Sequence, residues 1–272
     1  MTALAIDPKR CKQDGICAAE CPRRIIDTRN GIPAFYDGAE ALCIRCGHCV
    51  AVCPTAALSL GTMTPESCLD VNPDFVLSQE KAEHFLRSRR SIRNYRSKPV
   101  ERSILERLIT IASHAPSGHN SQPVQWHVIH DKSDVKRLSG LVIDWMKYMV
   151  ASDPQRAQAF NLDLVIADWE KGRDTIARNA PHLILTHAPK QNYFAQAACT
   201  IAMTYLELAI PSFGLGGCWG GFFNTAANLW PPLQSELGLP EGHISHGTMM
   251  VGYPVYTYHR MPPRNAPAIT WL

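Results

Sequence analysis

The sequence predicts an α+β chain in two unequal parts: a short cysteine-rich part, then a larger one where helices and strands alternate. Three observations predict it. Seven of the ten cysteines fall within the first 53 residues, in two runs of similar spacing. At 272 residues the chain is too long for that part alone and suggests about two units. Further on, helical patterning over 101–114 and 193–210 is interleaved with apolar strand segments such as 126–129. The expected division is 1–60, a linker over 61–80, and 81–272.

The second cysteine run reads Cys43-Ile-Arg-Cys46-Gly-His-Cys49-Val-Ala-Val-Cys53-Pro54. This is the C-x2-C-x2-C-x3-C-P spacing that holds [4Fe–4S] clusters: three thiolates cap one cubane, and the fourth cysteine turns to a second. Gly47 stands where backbone must pass close to the cluster. Paired C-x2-C motifs also bind zinc, but four cysteines ending in Cys-Pro favour iron–sulfur. His48 and Arg45, between ligands, are expected to tune the potential or face solvent.

The first run, Cys11-Lys-Gln-Asp14-Gly-Ile-Cys17-Ala-Ala-Glu-Cys21-Pro22, has the same spacing with Asp14 in place of the second cysteine. The crossed pattern assigns Cys11, Asp14, Cys17 and Cys53 to one cluster, and Cys43, Cys46, Cys49 and Cys21 to the other. The near-repeat resembles the internal duplication of two-cluster bacterial ferredoxins, which implies short strands and two short helices. A carboxylate is a harder and weaker iron ligand than a thiolate. Asp14 therefore implies a labile corner, either [3Fe–4S] or Asp-ligated [4Fe–4S]; the alternative is a solvated loop residue.

Composition bounds the partners. With 46% hydrophobic and 19% charged residues the chain has apolar mass for a sizeable core. A net charge of +3 gives no electrostatic case for nucleic acid or a membrane surface. Residues 1–60 carry seven Lys/Arg against six Asp/Glu, which fits a module wired to its own chain better than an acidic diffusing carrier. Cluster thiolates must stay reduced, so a cytoplasmic location is expected. No secretory signal opens the sequence. The uncharged run 208–235 is broken by Pro and Gly, and is expected to be buried core rather than a span.

Between the parts, 61–74 carries turn residues and no clear periodicity. Cys68 there has no partner motif. Helical patterning resumes at Gln79, with Ser78 as its N-cap.

Arg89-Arg90-Ser91-Ile92-Arg93-Asn94-Tyr95 gathers three guanidinium groups and a hydroxyl, a set suited to a phosphate. Ala115-Pro116-Ser117-Gly118-His119-Asn120-Ser121-Gln122-Pro123 is a polar loop between the helix and the strand. Together they resemble the opening RRSxRxF/Y and the A/S-P-S-x-x-N-S-Q-P loop of the nitroreductase family of FMN enzymes, over about 190 residues. Gly214 to Phe222, Val251-Gly252-Tyr253-Pro254 and Pro263-Arg264 extend the likeness.

The resemblance implies an α+β sandwich that forms a homodimer with FMN at its interface. It implies that Arg89, Arg90, Ser91 and Arg93, with Arg264 and Arg260, hold the FMN phosphate. Pro116, Ser117, Gly118, Asn120 and Gln122 are expected along the ribityl chain and one ring edge. Gly220 and Gly221 are expected to present backbone near flavin N5, where bare backbone lets an amide donate closely. Many members carry an acidic residue at the first of these two positions, and this chain does not. The bland alternative for the glycine run is a closely packed strand.

Residues 132–175 fall where the family inserts helices over its substrate face, and Tyr193 to Ile210 is expected to form core and dimer interface. His119 is expected to reach substrate or to hydrogen-bond structurally. His127, His182 and His187 lie along strands and are not expected ligands. The function implied is transfer of single electrons from two clusters to FMN, which reduces a small organic acceptor such as a nitroaromatic or quinone. The donor expected is a low-potential carrier such as a ferredoxin, or NAD(P)H. The alternatives are a reductase of activated alkenes or carbon–halogen bonds, and a redox relay or sensor without its own substrate.

Overall fold

The computed structural model describes residues 4–272. By contact the chain forms two units: Met1–Val76 with Gly118–Ser121, and Leu77–Ser117 with Gln122–Leu272.

In the first unit, β1 (Leu4–Ile6) is followed by α1 (Ile16–Ala19), β2 (Ile26–Asp27), β3 (Ala34–Phe35), α2 (His48–Ala51) and β4 (Leu58–Leu60). β1 pairs antiparallel with β4, and β2 with β3. The duplication is visible in the backbone. Gln13 and Arg45, Gly15 and Gly47, and Arg24 and Ala56 occupy equivalent places in the two halves, and all have positive φ. A small core of Cys17, Ile26, Cys49, Val50, Leu58 and Leu60 closes the unit. After β4, two 3-10 turns (Pro65–Ser67 and Pro73–Phe75) follow, the first with a reciprocal Thr64–Ser67 capping box.

The second unit opens with α3 (Gln79–Ser88), and the Ser78 side chain accepts from the Lys81 amide as expected of its cap. α4 (Arg102–Ala112), β5 (Gln125–Ile129), α5 (Lys132–Ser152), α6 (Pro154–Ala159), α7 (Leu162–Glu170) and β6 (His182–Pro189) come next. α8 (Ala195–Ala209), β7 (Gly216–Trp219), α9 (Gly221–Leu229), α10 (Pro231–Leu237) and β8 (His243–Gly252) complete it. The sheet runs β5-β6-β8-β7, antiparallel throughout.

Alternation along the central strands divides the core in two. Leu183, Leu185 and Met250 join Val142, Ile143 and Met146 of α5, Phe223 of α9 and Leu233 of α10. Ile184, Met249 and Val251 join Leu105 and Leu108 of α4 and Met203 and Leu206 of α8. The sheet is thus covered by helices on both faces, which is why β6 is buried along its length up to Ala188, its polar His182, Thr186 and His187 included. The uncharged stretch 208–235 divides among β7, short helices and turns. Among the described residues no helix is long and apolar enough to cross a membrane.

Candidate redox centres

Each cysteine run shapes its loop with the same local device. A left-handed glycine, Gly15 or Gly47, precedes a four-residue helix and bends the thiols inward. Gly47 has two reasons to be glycine besides the space its loop needs: φ is 75°, and a Cβ would lie 2.6 Å from Met63 Sδ.

The two runs cross. Cys21, Cys43, Cys46 and Cys49 line one cavity together with Ile25, Ile26, Phe35 and Leu60. Cys11, Asp14, Cys17 and Cys53 line another with Ile6, Ile16 and Leu58. Burial pushes the Cys49 thiol up to about 11, and Cys46, Cys21 and Cys43 add to this. Burial likewise raises Cys17, with Cys11 and Cys53 contributing. At Cys53 burial acts upward too, but the Ala57 amide at 3.3 Å and the Thr55 hydroxyl at 3.7 Å outweigh it, leaving the thiol lowered. Asp14 accepts from the Ile16 amide at 3.2 Å while lining its cavity.

Soft sulfur donors around two apolar cavities fit iron–sulfur clusters. Among the described residues no three His, Cys, Asp or Glu side chains converge as a single ion requires. A cluster spreads its thiolates over its own width and does not need such convergence.

In the larger unit the expected flavin contacts distribute over three cavities. Arg89 and Arg90 line the first with Glu207, Gly216, Gly217, Tyr256 and Tyr258, and the Arg90 guanidinium lies 5.6 Å from the Tyr258 ring centroid. Arg93, Gly220 and Gly221 line the second with Thr175, Arg178, Trp219 and Phe222. It holds about 400 Å³, within the ordinary range of ligand and cofactor sites. Pro116, Ser117 and Gln122 line the third with Trp126, and the Ser117 hydroxyl accepts from the Gln122 amide at 2.9 Å. Gly118 and Asn120 group by contact with the first unit. Ser91 is half-buried, whereas Arg260 and Arg264 are exposed on the C-terminal tail.

The glycine run splits by function. At Gly216 a Cβ would meet Ile92 Cγ1 at 2.4 Å, and at Gly217 it would meet Met249 Sδ at 3.0 Å, so both serve strand packing. Gly221 has nothing within 4 Å of such a Cβ. It begins α9, where main-chain amides lack helical partners and the helix dipole is positive. The Gly220 amide, by contrast, donates to Thr248 O at 2.8 Å. Thr175 Oγ1, on the same cavity, is buried without a partner. An open glycine, free helix-start amides and an orphaned hydroxyl fit a polar, planar cofactor.

Sequence reasoning missed Glu207. This buried carboxylate accepts from Arg89 Nη1 at 2.8 Å and from Trp219 Nε1 at 3.0 Å. The partners stand far apart in sequence, so no spacing announced them. Arg178 and Thr175 were also missed; they sit in a turn that Asp174 ties by accepting from the amides of Ile176, Ala177 and Asn179. The strand histidines are structural in part: His182 accepts from the Val100 amide and its Nδ1 bonds His130 O. Cys199 is fully buried in α8, and Cys68 is exposed.

The fold and the cysteine cavities define an oxidoreductase of the iron–sulfur class joined to a helix-covered antiparallel sheet. The chain belongs to the nitroreductase family, whose description matches residues 86–253; a 4Fe-4S dicluster domain matches residues 3–54. It is similar to iodotyrosine deiodinase of Nematostella vectensis, with 24% identity over 190 residues, 65% of this chain and 69% of that protein. It is also similar to an NADH dehydrogenase of Thermus thermophilus, 27% identical over 190 residues, covering 64% and 88%. Among solved structures, a nitroreductase with bound FMN from Bacteroides fragilis shares the fold at a TM-score of 0.56. That match has 20% identity and covers 70% of this chain and 98% of the other.

Proposed function

We propose that the protein is an FMN-dependent reductase supplied with electrons by two clusters carried on its own chain. The observation that carries this reading is the crossed partition of Cys11, Asp14, Cys17 and Cys53 from Cys21, Cys43, Cys46 and Cys49 into two cavities, within a nitroreductase-family chain. When bound, FMN supplies exchange between one-electron and two-electron transfer, with a small nitroaromatic or quinone-like acceptor receiving the pair.

The chain's own residues do the binding and orienting. Arg89, Arg90, Ser91 and Arg93 hold the phosphate end, joined by Arg264 and Arg260. The amide of Gly221 and those that follow it in α9 donate toward the ring; Gly220 contributes mainly by lacking a side chain, because its amide is taken. Pro116, Ser117, Gly118, Asn120 and Gln122 supply the polar loop. The seven cysteines ligate iron, with Asp14 at a weaker corner that is [4Fe–4S] or [3Fe–4S].

A homodimer is part of the proposal. Three separate cavities share the expected contacts, as they would if two chains completed each site. Leu69, Val71, Phe75, Val76 and Trp271 are each more than 70% exposed, apolar side chains that a partner chain would cover. The donor is a low-potential one-electron carrier, with NAD(P)H as the rival.

The likeness to iodotyrosine deiodinase supports a second reading, reduction of a carbon–halogen bond by the same centres. Anaerobic purification with iron, sulfide and flavin quantification tests the shared core. Two clusters and one FMN per chain are expected, and zinc or a lack of flavin overturns it. Stopped-flow mixing then separates donors: rapid flavin reduction by NADH with none by reduced ferredoxin refutes the wiring. Turnover with nitroaromatic, quinone and haloaromatic acceptors decides between the readings.

A further inference from the structure

The family resemblance assigns Asn120 to the flavin loop, and its side-chain amide carries a second task. The segment Gly118–Ser121 groups by contact with the cysteine-rich unit. There the Asn120 Nδ2 donates to Ile44 O at 3.2 Å and Arg45 O at 3.0 Å. Those two carbonyls belong to the two residues between Cys43 and Cys46. We propose that Asn120 is a positioning residue for the cluster of Cys43, Cys46, Cys49 and Cys21, raising that cluster's reduction potential by aiming loop amides at its sulfurs. This rests on the reading that these four cysteines hold a cluster.

The argument is one of peptide geometry. In a planar trans peptide the C=O and the following N–H point to opposite sides, and the structure contains no cis peptide among its described residues. Drawing the Ile44 and Arg45 carbonyls toward Asn120 therefore turns the Arg45 and Cys46 amides the other way. Neither amide donates to a backbone carbonyl among the described residues, and Ile44 and Cys46 both line the thiol cavity. Hydrogen bonds to cluster sulfurs are among the determinants of cluster potential.

The residue type suits the task. An amide side chain offers two donors and no charge, matching two adjacent carbonyls. Asn120 sits at φ 52° and Arg45 at φ 53°, left-handed conformations that asparagine tolerates better than most residues. Two such residues facing each other mark a loop held in shape by its surroundings.

The test uses the full-length protein purified anaerobically, as wild type, Asn120→Ala and Asn120→Asp. Iron, sulfide and FMN are quantified, and each cluster is titrated potentiometrically with EPR detection. The expected result is full iron in all three proteins and a downward shift of one cluster's midpoint in Asn120→Ala. A larger shift is expected in Asn120→Asp, whose carboxylate repels both carbonyls. The second cluster, held by Cys11, Asp14, Cys17 and Cys53, serves as the internal control and stays fixed. Unchanged potentials overturn the proposal, as does an equal shift of both clusters or loss of FMN alone. If Asn120→Ala does not retain iron, Asn120→Gln, which keeps both donors, must restore both iron and potential, and failure to do so also overturns it. Absence of iron from the wild type would instead defeat the cluster reading itself.

Discussion

Replacing Gly216 by alanine should destabilise the larger unit and disturb the arginine segment together. The added Cβ would lie 2.4 Å from Ile92 Cγ1, 2.8 Å from Ile92 Cβ and 3.0 Å from Ile92 Cγ2. Rotation about χ1 moves the two γ carbons but not Cβ, so a rotamer change leaves the second clash intact. The Ile92 amide donates to Gly217 O at 2.9 Å, tying that backbone to the neighbouring strand residue. Restoring carbon–carbon contact near 3.5 Å needs a movement of about 1 Å. Forcing an extra methyl into a packed site costs about 1–3 kcal/mol, and a clash that no rotamer relieves belongs at the upper end. For a unit of this size that corresponds to a melting-temperature loss of about 6–12 °C.

Differential scanning calorimetry at fixed scan rate measures the loss, and flavin content of the purified protein measures the effect on Arg89 and Arg90, which share a cavity with Gly216. Adding Ile92→Ala should recover part of the melting temperature by removing both γ carbons. Gly221→Ala, with nothing within 4 Å of the new atom, should leave the melting temperature unchanged. A Gly216→Ala protein that melts like the wild type and keeps its flavin would refute the packing account.

Four further outcomes are expected. Glu207→Gln should cost about 2 kcal/mol, because the Arg89 cation loses its anionic partner and keeps only a neutral acceptor; titration of the flavin-free protein should show tighter FMN binding as Arg89 is released. Cys49→Ala should lower iron from ~8 to ~4 per chain, whereas Asp14→Cys should remove any [3Fe–4S] EPR signal from the oxidised protein. Burial, then His243, His127 and His246, hold His187 down from 6.5 to about 4. Between those values the unfolded chain binds more protons than the folded one, so stability is lost as pH falls from 6.5 toward 4, and His187→Gln should flatten a denaturant-midpoint profile across that window. Maleimide should label exposed Cys68 while sparing Cys199, which burial pushes up to about 11.

The cysteine pattern was legible because ligand chemistry imposes fixed spacing, and the crossed grouping of the thiols follows from it. The Ser78 cap and the helices and strands around the polar loop were legible for a similar reason: each is written in neighbouring residues. Glu207 was not. Its two partners come from different elements, and only the folded α8 and β7 bring Arg89 and Trp219 to one carboxylate. The glycine run was half legible: composition marked the stretch, but only three-dimensional neighbours separate Gly216, excluded by Ile92, from Gly221, which faces open space. The division expected from the sequence is 1–60, a linker over 61–80, and 81–272; by contact the first unit runs to Val76 and takes in Gly118–Ser121, a grouping that local sequence does not write.

That four-residue insertion limits how freely the cysteine-rich unit can be exchanged or removed. A truncation that deletes residues 1–76 strips Asn120 of the acceptors Ile44 and Arg45. Expressing 1–76 alone leaves those carbonyls without their donor. The unit as contact defines it includes a piece of the loop between α4 and β5, and grafting it onto another reductase would mean carrying Gly118–Ser121 along with it.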